Sequence, residues 1–328
     1  MSYLHFLPKL PPYYQSSMKF LQPIPVRDIA LQTQSEIIGD ADGSVTGLNE
    51  IHNVVAGDIT FVDHEKYYSL ALNSAATFIF INKKIDAPAG KTLLYNVDPF
   101  IAYNALATVL QPTLVSNSSV ARSAKIGAGT VIYPNAFVGE NVTIGKNCII
   151  YPNATIYAYS VIGDNVIIHG NTTIGGDAFY YKGRGTHYDK MHTAGRTVIH
   201  DNVEIGSGCT IDAGVSADTV IGKGTKLDSQ VHVGHDSTIG ENCIICAQVG
   251  IAGNVRIGNF VTLYGKSSLS KNISVGDRAV LLGSSASAKS LEGGKTYLGT
   301  PADEIKRSAR QIAIIKKLPD LWEKLKKL

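Results

Sequence analysis

The sequence predicts a mainly β protein: a left-handed parallel β-helix of hexapeptide repeats, with an N-terminal α+β domain before it and a C-terminal α-helical segment after it. Three observations carry this. Aliphatic residues recur every six positions from Ile126 through Ile132, Val138 and Ile144 to Ile174, again at Ile199, Ile205 and Ile211, and from Ile221 to Leu281. A glycine follows many of them, as in Ile144-Gly145, Ile162-Gly163 and Ile239-Gly240. Neither flank of this run shows the period. Six matches neither the 3.6 of a surface helix nor the 2 of a half-buried strand. It is the repeat of a parallel β-helix, in which each hexapeptide supplies one short strand and one corner. Three hexapeptides make a coil of about 18 residues, and coils stack at the strand spacing of about 4.8 Å. The aliphatic residue faces inward, and glycine and small polar residues are expected to turn the corners.

Taken in order, residues 1–17 read as a loose extension, with tyrosines and prolines where a signal peptide would have its apolar core, and Met18 as the more natural start. Residues 18–112 form the α+β domain. Val26–Thr33 is a short helix, Glu36–Ile38 a strand, and Gly39–Gly43 a turn cluster. Ile59–Val62 alternates as a strand, Lys66–Asn73 is helical, Thr77–Ile81 and Thr92–Tyr95 are strands, and Pro99–Leu110 is a helix opened by proline. Residues 113–290 are the β-helix, broken twice. Ile174 to Ile199 is a step of 25 and Ile211 to Ile221 a step of 10, and such loops leave the wall, where solenoids place binding surface. Residues 291–328 turn at Tyr297–Ala302 and then form a helix with an apolar stripe (Ile312, Ile315, Leu318, Leu321, Trp322, Leu325) on a basic background, bent or divided by Pro319.

Composition narrows the function. Among 328 residues, 32 glycines and 17% charged residues suit many tight corners and few solvated helices. A net charge of +3 without a basic, aromatic-interleaved run does not argue for nucleic acid. The four cysteines fall inside hexapeptides, and Cys243 and Cys246 lack the second pair of a metal site, so no metal is expected and a reducing compartment fits best. No run of 18 apolar residues exists to span a membrane.

The segment richest in chemistry is Leu227 to Asp236. Val233 takes the interior position, so His232 and His235 lie on either side of a strand-and-corner step and at least one faces outward. Either both are polar wall residues or one is a base. Eighteen residues beyond His235 is Gly253, whose N–H would stand one strand spacing from the imidazole with no side chain between. A base beside an unblocked N–H is the minimum set for acyl transfer, the base taking a proton from the nucleophile and the N–H stabilising the oxyanion. Histidine suits this with an ordinary pKa of about 6.5. Asp236 or Asp228 would orient it, or either is a corner residue. There is no Gly-x-Ser-x-Gly elbow and no cysteine next to a histidine, which favours direct attack by the acceptor. His187, His192 and His200 match no ligand pattern.

From about residue 18 the chain resembles the UDP-3-O-(3-hydroxyacyl)glucosamine N-acyltransferase family of lipid A synthesis. Gly57-Asp58-Ile59-Thr60-Phe61 followed by Lys66-Tyr67 is similar to the family's uridine-binding segment, in which Phe61 and Tyr67 would flank the uracil. Asp177-Ala178-Phe179-Tyr180-Tyr181 resembles its Asp-Gly-Phe-Gly-Tyr loop, continued by Lys190 and Gly195-Arg196. His235 falls at the family's catalytic base and Gly253 at its oxyanion N–H. The resemblance implies substrate contacts at Phe61, His64, Lys66, Tyr67, Asp177, Phe179, Tyr181, His232 and Asn272. It also implies a cytoplasmic homotrimer of a Gram-negative bacterium, a UDP-amino sugar acceptor, and an acyl donor carried on the phosphopantetheine of acyl carrier protein, with no tightly bound cofactor. The chain departs from the family pattern at Ala178, Tyr180, Ala213 (after Asp212), Asn272 and His64. These departures leave the acceptor and acyl chain open. They keep two alternatives: a coenzyme-A-dependent N-acetyltransferase on another amino sugar nucleotide, and an inactive sugar-nucleotide-binding scaffold.

Overall fold

A computed structural model describes residues 18–51 and 53–326. The expected extension at 1–17 and the last two residues of the expected C-terminal helix lie outside the described residues. The chain divides into two compact units, where the sequence suggested contiguous blocks. One unit is the chain through Val115 together with Asp177–Arg196 and Ala213–Asp218; the other is Ser116–Gly176, Thr197–Asp212 and Thr219 onward. The two excursions from the solenoid join the first unit because Ala178, Met191, Ala194 and Val215 are buried in its core.

The first unit is a six-stranded mixed sheet. Its elements are β1 (Lys19–Pro25), α1 (Val26–Thr33), β2 (Glu36–Ile38), β3 (Ser44–Leu48), β4 (Asp58–Val62), α2 (Tyr68–Leu72), β5 (Phe78–Ile81), β6 (Thr92–Tyr95) and α3 (Pro99–Leu110). The strand order is β1-β3-β4-β5-β6-β2. β3 to β6 run parallel, and β1 and β2 close the edges antiparallel. The central strand β5 (Phe-Ile-Phe-Ile) is buried throughout, as a strand covered on both faces must be. Asp98 caps α3, its Oδ1 accepting from the Ile101 N–H, with Pro99 in the first turn. Two strands escape a periodicity reading. β1 carries Pro23 and Pro25, which confine it to an edge, and β3 is short with Gly47 inside it. The expected helix at Lys66–Asn73 is a 3-10 turn (Glu65–Tyr67) continued by α2.

The second unit is the parallel β-helix. Two-residue strands stack into three sheets of eight, ten and eight strands. Neighbouring coils pair residues 18 apart, as in Thr143↔Val161 and Thr238↔Arg256. Across the breaks the partners are Val161↔Val198 and Thr210↔His232, so the inserted residues leave the register of the walls intact. The aliphatic column is the core. A second inward column lies two residues before it: Val142, Cys148 and Ala154, then Val231, Ser237, Cys243 and Val249, all buried. This places three of the cysteines. Burial pushes the Cys148, Cys209 and Cys243 thiols up, as inert interior groups.

Small polar residues turn many of the corners, as expected, but the glycines after the aliphatic residues do not. The left-handed residue is the third after the aliphatic one and is most often asparagine: Asn135, Asn141, Asn147, Asn153, Asn165, Asn171, Asn242, Asn254 and Asn272 all have φ between 53° and 65°. The glycine directly after the aliphatic residue serves close approach instead. A Cβ on Gly240 would lie 2.5 Å from the carbonyl carbon of Gly258 in the next coil.

The ten-stranded sheet ends in an antiparallel strand, Asp303–Glu304, which leads into α4 (Ile305–Ile315) and α5 (Leu318–Leu325). Of the bend or division expected at Pro319 the chain takes the division, with the break at Lys316-Lys317 just ahead of the proline. No helix among the described residues is long and apolar enough to cross a membrane.

Gly240→Ala must move backbone rather than a side chain, so it is expected to destabilise the solenoid by about 1–3 kcal/mol in thermal unfolding. Gly250→Ala, whose Cβ meets nothing within 4 Å, serves as the neutral control; equal melting temperatures would refute the close-approach role.

Candidate active site

The solenoid brings His235, Asp236 and Gly253 together. Val233 is buried, which leaves His232 outward on the strand and carries His235 to the corner two residues on. Asp236 takes the left-handed corner position, φ 57°, and its N–H donates to Thr219 Oγ1 at 2.9 Å. That turn aims the carboxylate back at its neighbour: His235 Nδ1 lies 2.7 Å from Asp236 Oδ2, with the side chains 17% and 5% exposed. A buried carboxylate accepts only, so it holds the neutral imidazole with its proton on Nδ1 and makes Nε2 the basic nitrogen. Nε2 lies against the next coil, where a Cβ on Gly253 would be 2.5 Å from it. Glycine is needed there for the ring to adopt this pose.

Gly253 stands second after the aliphatic residue. On the other eight-stranded wall the N–H at this position donates to a side chain one coil on: Lys146 to Asp164 Oδ1 at 2.7 Å, Glu241 to Asn259 Oδ1 at 2.8 Å, and Asn259 to Asp277 Oδ1 at 2.8 Å. One coil beyond Gly253 stands Lys271, whose side chain offers no acceptor. Among the described residues the Gly253 N–H has no hydrogen-bond acceptor.

The other residues singled out in the solenoid lie apart from this pair. His232 is exposed, its Nδ1 2.8 Å from Thr210 Oγ1. Asp228 does not orient His235: it sits at the preceding corner, where its Oδ1 accepts from the Ser229 N–H at 2.7 Å and it lines a separate groove. Asn272 is a left-handed corner residue two coils beyond Asp236, its Oδ1 accepting from Asn254 Nδ2 at 2.8 Å. No cluster of three His, Cys, Asp or Glu side chains among the described residues is placed to hold a metal ion.

In the first unit, Phe61 is half-buried, its ring 4.8 Å from that of Tyr103 and 5.9 Å from that of Phe100. His64 caps the 3-10 turn by accepting from the Lys66 N–H at 3.2 Å, which presents Lys66 and Tyr67 outward. The segment 177–181 alternates. Ala178 is 1% exposed and Tyr180 packs on the core, while Phe179 (84% exposed) and Tyr181 point out, edge to face at 5.1 Å, and Asp177 pairs with Lys190. The two loop departures thus face the core, Ala178 buried and Tyr180 half-buried against it, and the outward Asp, Phe and Tyr match the family motif. Sequence reasoning missed an ion network here: Lys182 pairs with Asp63, and Arg184 lies 2.6 Å from both Asp98 and Asp189, above the Phe100 ring. Its members are too far apart in sequence to form a pattern.

Two family models match parts of the chain. Residues 42–109 match the UDP-3-O-(3-hydroxymyristoyl) glucosamine N-acyltransferase (LpxD) family model. Residues 123–158, 141–176 and 218–253 match the six-repeat bacterial transferase hexapeptide model. The chain is 40% identical over 230 residues to a UDP-3-O-acylglucosamine N-acyltransferase of Dechloromonas aromatica, covering 63% of this chain and 66% of that one. It is 35% identical over 235 residues to UDP-3-O-acylglucosamine N-acyltransferase 1 of Legionella pneumophila, covering 64% and 66%. The chain therefore spans just under two thirds of the length of these curated relatives. Among solved structures, a UDP-N-acetylglucosamine acyltransferase from Bacteroides fragilis aligns with a TM-score of 0.52 at 27% identity, over 58% of this chain and 73% of that one. The one from Campylobacter jejuni, at 24% identity and a TM-score of 0.51 over 56% and 71%, shares the fold.

Nitrogen-resolved NMR of the neutral protein is expected to show His235 protonated on Nδ1, and Asp236→Ala to shift it toward the Nε2–H tautomer. An Nε2–H tautomer in the unaltered protein would contradict the dyad.

Proposed function

We propose, from its similarity to the UDP-3-O-acylglucosamine N-acyltransferase family, that the chain transfers a 3-hydroxyacyl chain from acyl carrier protein to the 2-amine of a UDP-3-O-acyl-glucosamine in lipid A synthesis. The observation that supports this reading best is the His235–Asp236 dyad, with Nε2 set against a glycine whose N–H lacks an acceptor. In the proposed reaction the sugar amine attacks the thioester carbonyl while Nε2 of His235 takes its proton. The Gly253 N–H stabilises the oxyanion of the tetrahedral intermediate. Collapse breaks the C–S bond, the amide remains on the sugar, and the imidazolium returns the proton to the leaving thiolate of phosphopantetheine. Asp236 holds the tautomer and offsets the imidazolium charge.

The nucleotide falls to the first unit. Tyr67 and Phe61 offer rings to uracil, and the Lys66 ammonium beside Tyr67 offers a cation to the diphosphate. His232, Asn272 and the outward face of Asp177, Phe179 and Tyr181 are proposed acceptor and acyl-chain contacts. A homotrimer is favoured by the exposed apolar residues of α4 and α5, including Ile312, Ile315, Leu321 and Trp322, which call for cover by copies of this chain. The basic residues on the same helices suit an acidic carrier protein, and the reaction is assigned to the cytoplasm.

His235→Ala is expected to lower kcat by about 10²–10⁴-fold, the usual weight of a general base, while the variant still elutes as a trimer. Turnover of acyl carrier protein thioesters at the original rate would sink the mechanism, and acetyl-CoA as the better donor would sink the donor assignment. Tyr67→Ala is expected to raise KM for the UDP-sugar several-fold with kcat little changed, about what one ring stack contributes; an unchanged KM would move the nucleotide elsewhere.

A further inference from the structure

Away from His235, one column of the solenoid ends abruptly. The residues directly after the aliphatic position of the ten-stranded sheet stack coil upon coil as Tyr133, Tyr151, His169, Gly206, Asp228 and Cys246. The first three are flat rings lying parallel. Their centroids are 5.3 Å and 5.0 Å apart and their planes 7° and 6° apart. Glu204 fixes the last ring, its Oε1 3.0 Å from His169 Nε2. The next position, Gly206, has no side chain, yet the backbone ladder continues: His169 N–H donates to Ile205 O, and Gly206 N–H to Leu227 O. The ring stack therefore stops at an open imidazole face with one ring's thickness missing before Asp228 closes the far side. A groove of about 380 Å³ opens there, lined by His169, Glu204, Gly206, Ser207, Lys226 and Asp228 among others. That volume falls within the roughly 300–1,000 Å³ of small-molecule sites.

The backbone alone accounts for the glycine, since a Cβ on Gly206 would lie 2.6 Å from the Asp228 carbonyl carbon and from the Ser229 nitrogen. That requirement keeps the slot clear and does not fill it. We infer that the slot binds a planar, amino-bearing nitrogen heterocycle of the adenine type, stacked on His169 as a fourth ring of the ladder. The walls select that chemistry. Glu204 and Asp228 are acceptors when ionised, so they favour a ring whose edge presents N–H donors. A hydrocarbon ring would leave both carboxylates facing an apolar edge. Lys226 supplies a cation at the rim for an anionic substituent on the ring's sugar. An adenine could arrive as a free nucleoside or nucleotide, or as the nucleotide end of coenzyme A.

Saturation-transfer NMR on the full-length protein, titrating adenosine, purine riboside and coenzyme A, tests this. Adenosine H2 and H8 should saturate, and purine riboside, the same ring without the amine, should bind more weakly. His169→Ala should weaken adenosine about tenfold, the loss of one base–aromatic stack, and His169→Phe should retain binding. Coenzyme A binding tighter than adenosine assigns the slot to a donor's nucleotide end, and equal binding assigns it to a free nucleoside. Absence of saturable adenosine binding, or equal binding by His169→Ala, overturns the slot. Equal binding of purine riboside overturns the role of the carboxylates.

Discussion

One constraint governs the solenoid: each coil sits on the next in fixed register at a single strand spacing. The backbone ladder sets the spacing, and the glycines after the aliphatic residues permit it, because a Cβ at Gly240 or Gly258 would meet backbone or a corner carboxyl of the next coil. The asparagines at the left-handed corners close each turn with the residue type that tolerates positive φ best after glycine. Under this constraint residues 18 apart become neighbours, and a choice of side chain in one coil becomes a boundary condition on the coil above. His235 can set Nε2 against its neighbour only because that neighbour is Gly253.

Much of this was legible in sequence because the aliphatic column is strictly periodic and chemically uniform. The second inward column was not. Its members, such as Ser237, Cys243 and Val249, share small size rather than hydropathy. The polar ones are tolerated inside because they close bonds between coils: Ser237 Oγ donates to Ala252 O at 3.0 Å and accepts from the Val255 N–H at 3.1 Å. The asparagine corners were countable but were hidden behind the more conspicuous glycines. In the first unit the helices and buried strands were visible, whereas β1 and β3 depend on sheet neighbours far away in sequence, and no local period marks them.

The site was half legible for the same reason. Counting by 18 places Gly253 over His235, since that is a property of the repeat. Counting cannot choose between Asp228 and Asp236, because that depends on which corner each occupies. Asp236 shares the corner of His235 and adopts positive φ, which turns its carboxylate back onto Nδ1; Asp228 belongs to the corner before. Nor could the loop departures be weighed from sequence. Ala178 and Tyr180 differ from the family motif, yet alternation turns them toward the core, and the family-like Asp177, Phe179 and Tyr181 keep the outward face.

A regular scaffold also changes what counts as a signal. In an irregular protein an amide without an acceptor is one loose end among several. Here it can be set against the same position on another wall, where Lys146, Glu241 and Asn259 are bonded to the coil beyond. Gly253 makes no such bond, and it coincides with the oriented imidazole of His235. Gly206 interrupts a column of stacked rings, and the interruption coincides with a groove. Both positions are glycines with a structural reason to be glycine, so neither residue alone argues for a ligand. The weight comes from coincidence. A missing side chain forced by stacking leaves vacant space at many corners, and only where that space adjoins a polarised group, His235 Nε2 or the face of His169, does the vacancy acquire chemistry.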